Sequence, residues 1–303
     1  MQAHPERAAN GLPLALAAYT IWGFLPLYYH LLRGIAPLEL VGWRVIFTLP
    51  ICLAIIVFRK QGAQLRMALT TPRILIALAA SALLIGGNWL IYVIAITSDR
   101  VLAASLGYYI NPLVSVLLGT FLLGERLSRT QWLAVGIAGA GIALLIGGAL
   151  DMLGIALSLA LCFGGYGLIR KLAPIGAVPG LTVEATILLL PAVAIVAWSG
   201  QGPAGSALAI STSTSALIAL SGVLTAVPLL LFAVAVRRMN LSTIGFLQFL
   251  TPTLAFLIGH FVFGEPLSPT RLACFVLIWI AITLFVRDIL AKRKETAPNP
   301  RGT

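Results

Sequence analysis

Long apolar stretches alternate with short polar breaks along this chain. Ten stretches stand out: residues 11–31, 38–58, 73–97, 102–123, 130–149, 151–169, 179–199, 214–236, 241–263 and 270–290. Each is near the ~20 residues that a helix needs to cross roughly 30 Å of hydrocarbon. None alternates with period two, so the strands of a membrane barrel are not expected. The pattern predicts an all-α polytopic membrane protein with ten transmembrane helices, numbered here spans 1 to 10. The first stretch holds Pro26 and is followed by nine more, so it reads as a span and not as a cleavable signal.

One phrase occurs twice. Residues 124–130 read GERLSRT and residues 264–270 read GEPLSPT. The same offset of 140 aligns Asn111-Pro112 with Thr251-Pro252, and an offset of 141 aligns Gly23 with Gly164 and Pro50 with Pro191. Spans 1–5 therefore resemble spans 6–10. Five is an odd number, so the second unit enters the membrane in the opposite sense. The expected organisation is two inverted five-helix repeats, residues 1–149 and 150–290, with a polar, disordered cytoplasmic tail over 291–303. Within the phrase, Gly124 and Gly264 suit the left-handed geometry that ends a helix, and Ser128 and Ser268 suit caps of the next one. The glutamates, Glu125 and Glu265, read as turn charges at the membrane edge without chemistry of their own.

Composition and charge sharpen the picture. Of 303 residues, 60% are hydrophobic and 10% charged, against about 25% charged in soluble domains. The net charge is +11. With the N-terminal side taken as inside, sixteen of the twenty Lys and Arg lie at inner ends, from Arg7 to the tail's Lys292, Arg293, Lys294 and Arg301. Arg33, Arg100 and Arg271 lie at outer ends, and Arg44 alone lies well inside a span. This bias places both termini in the cytoplasm. No basic domain is present, so nucleic acid is not an expected partner. Cys52, Cys162 and Cys274 fall within spans and serve as small apolar filler. The expected partners are the lipid bilayer and a small-molecule substrate. No cofactor or metal set is legible, and oligomeric state leaves no signature.

Several segments carry a family resemblance: AAYTIWGFLPLYYHLL (17–32), LIGGNWLIYVIAI (84–96), ASLGYYINPLVSVLLGTFLLGERL (104–127), YGLIRK (166–171) and STIGFLQFLTPT (242–253). They resemble the RarD-type permeases of the EamA family, in the drug/metabolite transporter superfamily. The resemblance covers nearly the whole chain. It implies ten helices in two inverted repeats around a central cavity, and transport of small molecules, often export. Two positions depart from the family pattern. Trp43 stands where a His usually precedes the arginine of span 2, and Ala103 stands where Glu often precedes the ASLGY segment.

Charges inside spans cost about 2.5–3.5 kcal/mol at mid-depth, so each needs a reason. Arg44 is six residues into span 2. Glu39, five residues earlier, is about 140° round the helix and reads as a helix cap. Arg44 must find a partner from another span, meet an anionic solute or snorkel outward, and a place in the cavity is the favoured expectation. Glu184 lies one to two turns into span 7, where the helix N-terminus favours its charge. It is the coupling candidate, with Arg170 or Lys171 as alternative holders. Asn111-Pro112 and Thr251-Pro252 fall about ten residues into their spans. Each proline frees the carbonyl four residues back, that of Tyr108 or Gln248. Helices broken at mid-depth in both repeats point to a transport site. The candidate substrate-binding residues are Arg44, Asn88, Trp22, Tyr108, Asn111 and Gln248.

The leading expectation is a secondary-active permease working by alternating access. No phosphate-binding Gly-rich lysine loop is present, so a gradient, with protons the first choice, would drive it. No H-E-x-x-H or Cys/His cluster supports an enzyme. The competing readings are a membrane scaffold or sensor that moves nothing, and a passive channel.

Overall fold

A computed structural model describes residues 11–146, 150–202 and 205–296. Arg7, Arg301, the last three residues of predicted span 5 and tail residues 297–303 lie outside the described residues, as do the side chains of Lys292, Arg293 and Lys294.

Among the described residues, ten helices are long and apolar enough to cross a membrane. They are Leu12–Leu31, Pro37–Phe58, Pro72–Thr97, Val101–Leu123, Arg129–Ile146, Leu153–Leu172, Ala177–Gly200, Thr212–Arg238, Leu241–Phe261 and Pro269–Ala291. Proline sits in the first turn of spans 1, 2 and 3, where its missing N–H has no helical partner to lose. The last helix continues to Thr296, so the predicted tail begins as helix. One element was not predicted. Gly62–Thr70 forms a short helix between spans 2 and 3. It is too short to cross, and it buries Ala68 in a cluster with Ile74 and Val183.

The two mid-span prolines behave differently. Span 4 runs unbroken through Pro112, whereas span 9 is interrupted at Phe249, between Leu241–Gln248 and Leu250–Phe261. The expected pair of breaks is therefore one break. Span 4 is held along its length, by span 6 and by the first half of span 9. A methyl group on Gly245 would stand 2.7 Å from the Pro112 carbonyl oxygen, so the backbones nearly touch there. Such neighbours let a helix keep its course through proline.

The principal helix pairs are spans 1 with 8 and 9, 2 with 7 and 8, 3 with 6 and 7, 4 with 6 and 9, and 5 with 10. Each of these pairs joins a span from the first five to a span from the last five. The two halves are interleaved, not set side by side. The set also maps onto itself when every span is exchanged for the one five places away.

Spans 4 and 9 set the shape of the interior. Call the face where span 1 begins the near face, and the opposite one the far face. The first half of span 9, toward the near face, packs along span 4. The second half lies against span 1 and makes no comparable packing with span 4. The two spans touch toward the near face and part toward the far face.

Candidate functional site

Arg44 projects from span 2 in the far half of the molecule. Its Nε donates to Thr225 Oγ1 of span 8 at 3.0 Å. Its guanidinium lies over the Trp89 ring of span 3, 4.9 Å from the centroid. This contact stabilises a desolvated cation by about 0.5–2 kcal/mol. Tyr108 of span 4 is 43% exposed, although it sits well inside its span. It meets Tyr92 edge to face at 5.8 Å. Spans 2, 3 and 4 thus bring one cation and several aromatic rings to the far half of the molecule, and span 8 holds the cation through Thr225.

A small crevice lies against Trp89 and Thr225, the two residues that hold Arg44. Thr48, Trp89, Thr225 and Glu184 are among its lining residues. Glu184 is buried and accepts from Ser81 Oγ at 2.6 Å. Arg170 Nη1 lies 3.5 Å from its Oε1, and both side chains are 1% exposed. Arg170 Nη2 also donates to the Ala177 carbonyl, across the turn between spans 6 and 7. Gly180 leaves the space that the guanidinium fills. Arg170, expected at a span end, is therefore a buried partner of Glu184.

The other candidates separate from this cluster. Asn88 Nδ2 donates to the Leu159 carbonyl at 2.9 Å, tying span 3 to span 6. Trp22 packs with Tyr19, Phe163 and Phe232 in an aromatic group between spans 1, 6 and 8. Asn111 and Gln248 are 4% and 5% exposed, and Asn111 Oδ1 and Gln248 Oε1 find no hydrogen-bond donor. Glu39 does not cap its own helix. Its Oε1 accepts from Trp43 Nε1 at 3.1 Å and from the Ala207 backbone N–H at 2.9 Å, so it caps the short turn Ala207–Ala209. That bond also gives Trp43 its role here, and Ala103 is wholly buried.

Sequence reasoning missed Thr225, Ser81 and, above all, Glu125. Glu125 receives the backbone N–H groups of Leu241 and Ser242 at 2.7 and 2.8 Å, and the Ser242 hydroxyl at 2.6 Å. Lys171 Nζ lies 3.9 Å away and donates to the Val236 and Met239 carbonyls that end span 8. One carboxylate thus joins the ends of spans 4, 6, 8 and 9 at the near face. A signal was present in the sequence. Gly119 and Gly259 also align at the offset of 140, and each leaves room for the glutamate six residues on.

A ten-span helical bundle that holds a cation against an aromatic ring within its depth defines a polytopic membrane protein. Comparison with known proteins narrows the class. Residues 9–147 match the EamA-like transporter family. An uncharacterized transporter of Pseudomonas aeruginosa is 41% identical over 279 residues, covering 92% of this chain and 94% of the relative. Protein RarD of Salmonella typhi is 41% identical over 294 residues, covering 96% and 99%. A crystal structure with 20% identity shares the fold at a TM-score of 0.72, covering 95% of this chain and 99% of the other. The chain belongs to the EamA-like transporter family, as a RarD-type member. It is a multi-pass bacterial membrane transporter.

Proposed function

We propose that this protein is a secondary-active exporter of the bacterial inner membrane, with the near face and both termini cytoplasmic. It binds a solute that carries an anionic group beside a flat or apolar body. The observation that carries this reading is Arg44, held over Trp89 in the far half of the molecule, where Tyr92 and the part-exposed Tyr108 also meet. Planar guanidinium and ring faces together suit such an amphipathic anion. Spans 4 and 9, packed together toward the near face and apart toward the far face, favour alternating access over a standing channel. The exchange symmetry of the helix pairs supports two inverted units, an architecture suited to rocking between two open states. Glu184, in the lining of the crevice against Trp89 and Thr225, is the coupling group, taking and releasing a proton as the crevice changes its access.

The test compares small molecules inside and outside cells by mass spectrometry. Cells carry the wild type, Arg44→Ala, Arg44→Lys or an empty vector, with membrane levels matched. One solute class is expected to be depleted inside wild-type cells, with Arg44→Ala losing about 10-fold or more of that flux. Arg44→Lys is not expected to restore it, because an ammonium cannot reproduce the stacked fork. Equal solute profiles for wild type and vector, in media rich in organic anions, would sink the transport reading. A flux that survives Arg44→Ala would move the site elsewhere.

A further inference from the structure

The repeated phrase places two glutamates in equivalent posts, but only Glu125 grips a helix start, whereas Glu265 pairs with Arg271. Glu125 N–H returns to the Gly119 carbonyl at 3.0 Å, and Glu265 N–H returns to the Gly259 carbonyl at 2.9 Å. Both follow a left-handed glycine, Gly124 at φ +66° and Gly264 at φ +68°. Both carboxylates lie over the bare backbone of their glycine, Gly119 or Gly259. Their surroundings differ. The Glu125 side chain is 9% exposed and holds the first N–H groups of span 9. The Glu265 side chain is 53% exposed and meets Arg271 at 3.1 Å. Shifted by 140 residues, Leu241 and Ser242 become Val101 and Leu102, the start of span 4. No side chain caps that start, and both residues are exposed. On the same far face, the His30 ring stacks on Phe263 at 4.8 Å and Arg33 lies over the same ring.

We propose that Glu125 and Glu265 are alternating latches of the transport cycle. Glu125 shuts the near face by gripping the start of span 9. In the opposite state it lets go, and Glu265 grips the backbone N–H groups of Val101 and Leu102 to shut the far face. The carboxylate is suited to this task because it gathers two adjacent N–H donors at a helix start, where the backbone dipole favours its charge. The energy of one grip offsets the loss of the other, so the two states stay close in free energy. The proposal rests on the transporter reading, but its test reads conformation and not flux.

Single cysteines are placed in a background without Cys52, Cys162 and Cys274. Tyr108→Cys reports on the far half, where Tyr108 is part-exposed. Ser115→Cys reports on the seam beneath Gly245, where Ser115 is 3% exposed. Maleimide labelling rates are measured on purified, monodisperse protein. Glu125→Gln is expected to raise labelling at Ser115→Cys by about tenfold or more and to slow labelling at Tyr108→Cys, as the balance shifts. Glu265→Gln is expected to keep Ser115→Cys protected and Tyr108→Cys reactive, and to stop turnover. Unchanged rates in Glu125→Gln, or rates that rise together at both sites, would overturn the latch. Full turnover in Glu265→Gln would overturn its far-face half. Glu265→Gln alters an exposed side chain and so spares the fold. If Glu125→Gln does not fold, Ser242→Ala removes one of the three grips and is expected to move both rates the same way by less. Opposed rate shifts in a protein that moves no solute would keep the latches and remove the transport reading.

Discussion

Arg170 and Glu184 show how much one residue pair asks of its surroundings. Two opposite charges with 1% exposure have lost their water, and Ser81 and the Ala177 carbonyl replace only part of it. Removing one member leaves the other buried and unpaired, a loss of about 3–5 kcal/mol. Arg170→Gln and Glu184→Gln are each expected to lower the melting temperature in detergent by several degrees. The double variant removes both charges and is expected to melt above either single variant. Proton-driven accumulation, measured in vesicles with an imposed pH gradient, is expected to stay lost in the double variant, which separates coupling from stability. The sequence marked Glu184 because a carboxylate inside a span is costly. It left the choice of partner open, since Arg170 and Lys171 are neighbours in sequence and only the turn between spans 6 and 7 decides between them. Arg44 was legible for the same reason of cost, whereas Thr225 and Ser81 were not, being unremarkable letters until the helices are packed.

Elements were read best where the determinants are local. The glycines that end spans 4 and 9 take left-handed φ as expected, and Ser128 and Ser268 accept from the backbone N–H groups of Gln131 and Arg271. The helix contacts were less legible, because a small residue does not say which neighbour it admits. Gly222 admits the Phe47 backbone: an added methyl would stand 2.6 Å from the Phe47 carbonyl carbon. Gly136 of span 5 faces open space, although it belongs to the same class of small residue. Gly222→Ala is expected to lower stability by about 1–3 kcal/mol through overpacking between spans 2 and 8. Gly136→Ala is expected to leave it unchanged or slightly raised, since alanine favours the helix. Thermal melts of the two purified variants check both statements. The break in span 9 but not in span 4 belongs to this scale too. Proline removes the same hydrogen bond in both, and the packing along each helix decides whether it bends.

At the scale of the whole molecule, the ten spans were legible from hydrophobic length, and the exchange symmetry of the helix pairs is consistent with the doubling that the shared phrase suggested. The end at which spans 4 and 9 close was not legible, because the shared phrase stands at both faces and the choice lies in which seam is packed. The interleaving of the halves was also out of reach of pattern alone, since periodicity marks a buried face without naming what buries it. That interleaving has a consequence for how the protein is made. A ribosome delivers spans 1–5 to the membrane before any of their principal partners exist. The early helices must wait in lipid as separate rods, within reach of membrane proteases, until the second half is synthesised. Residues 1–149 expressed alone are therefore expected to be degraded, as seen by pulse-chase. Co-expression with residues 150–303 as a separate chain is expected to rescue them, because assembly needs the partner helices and not the peptide bond between the halves.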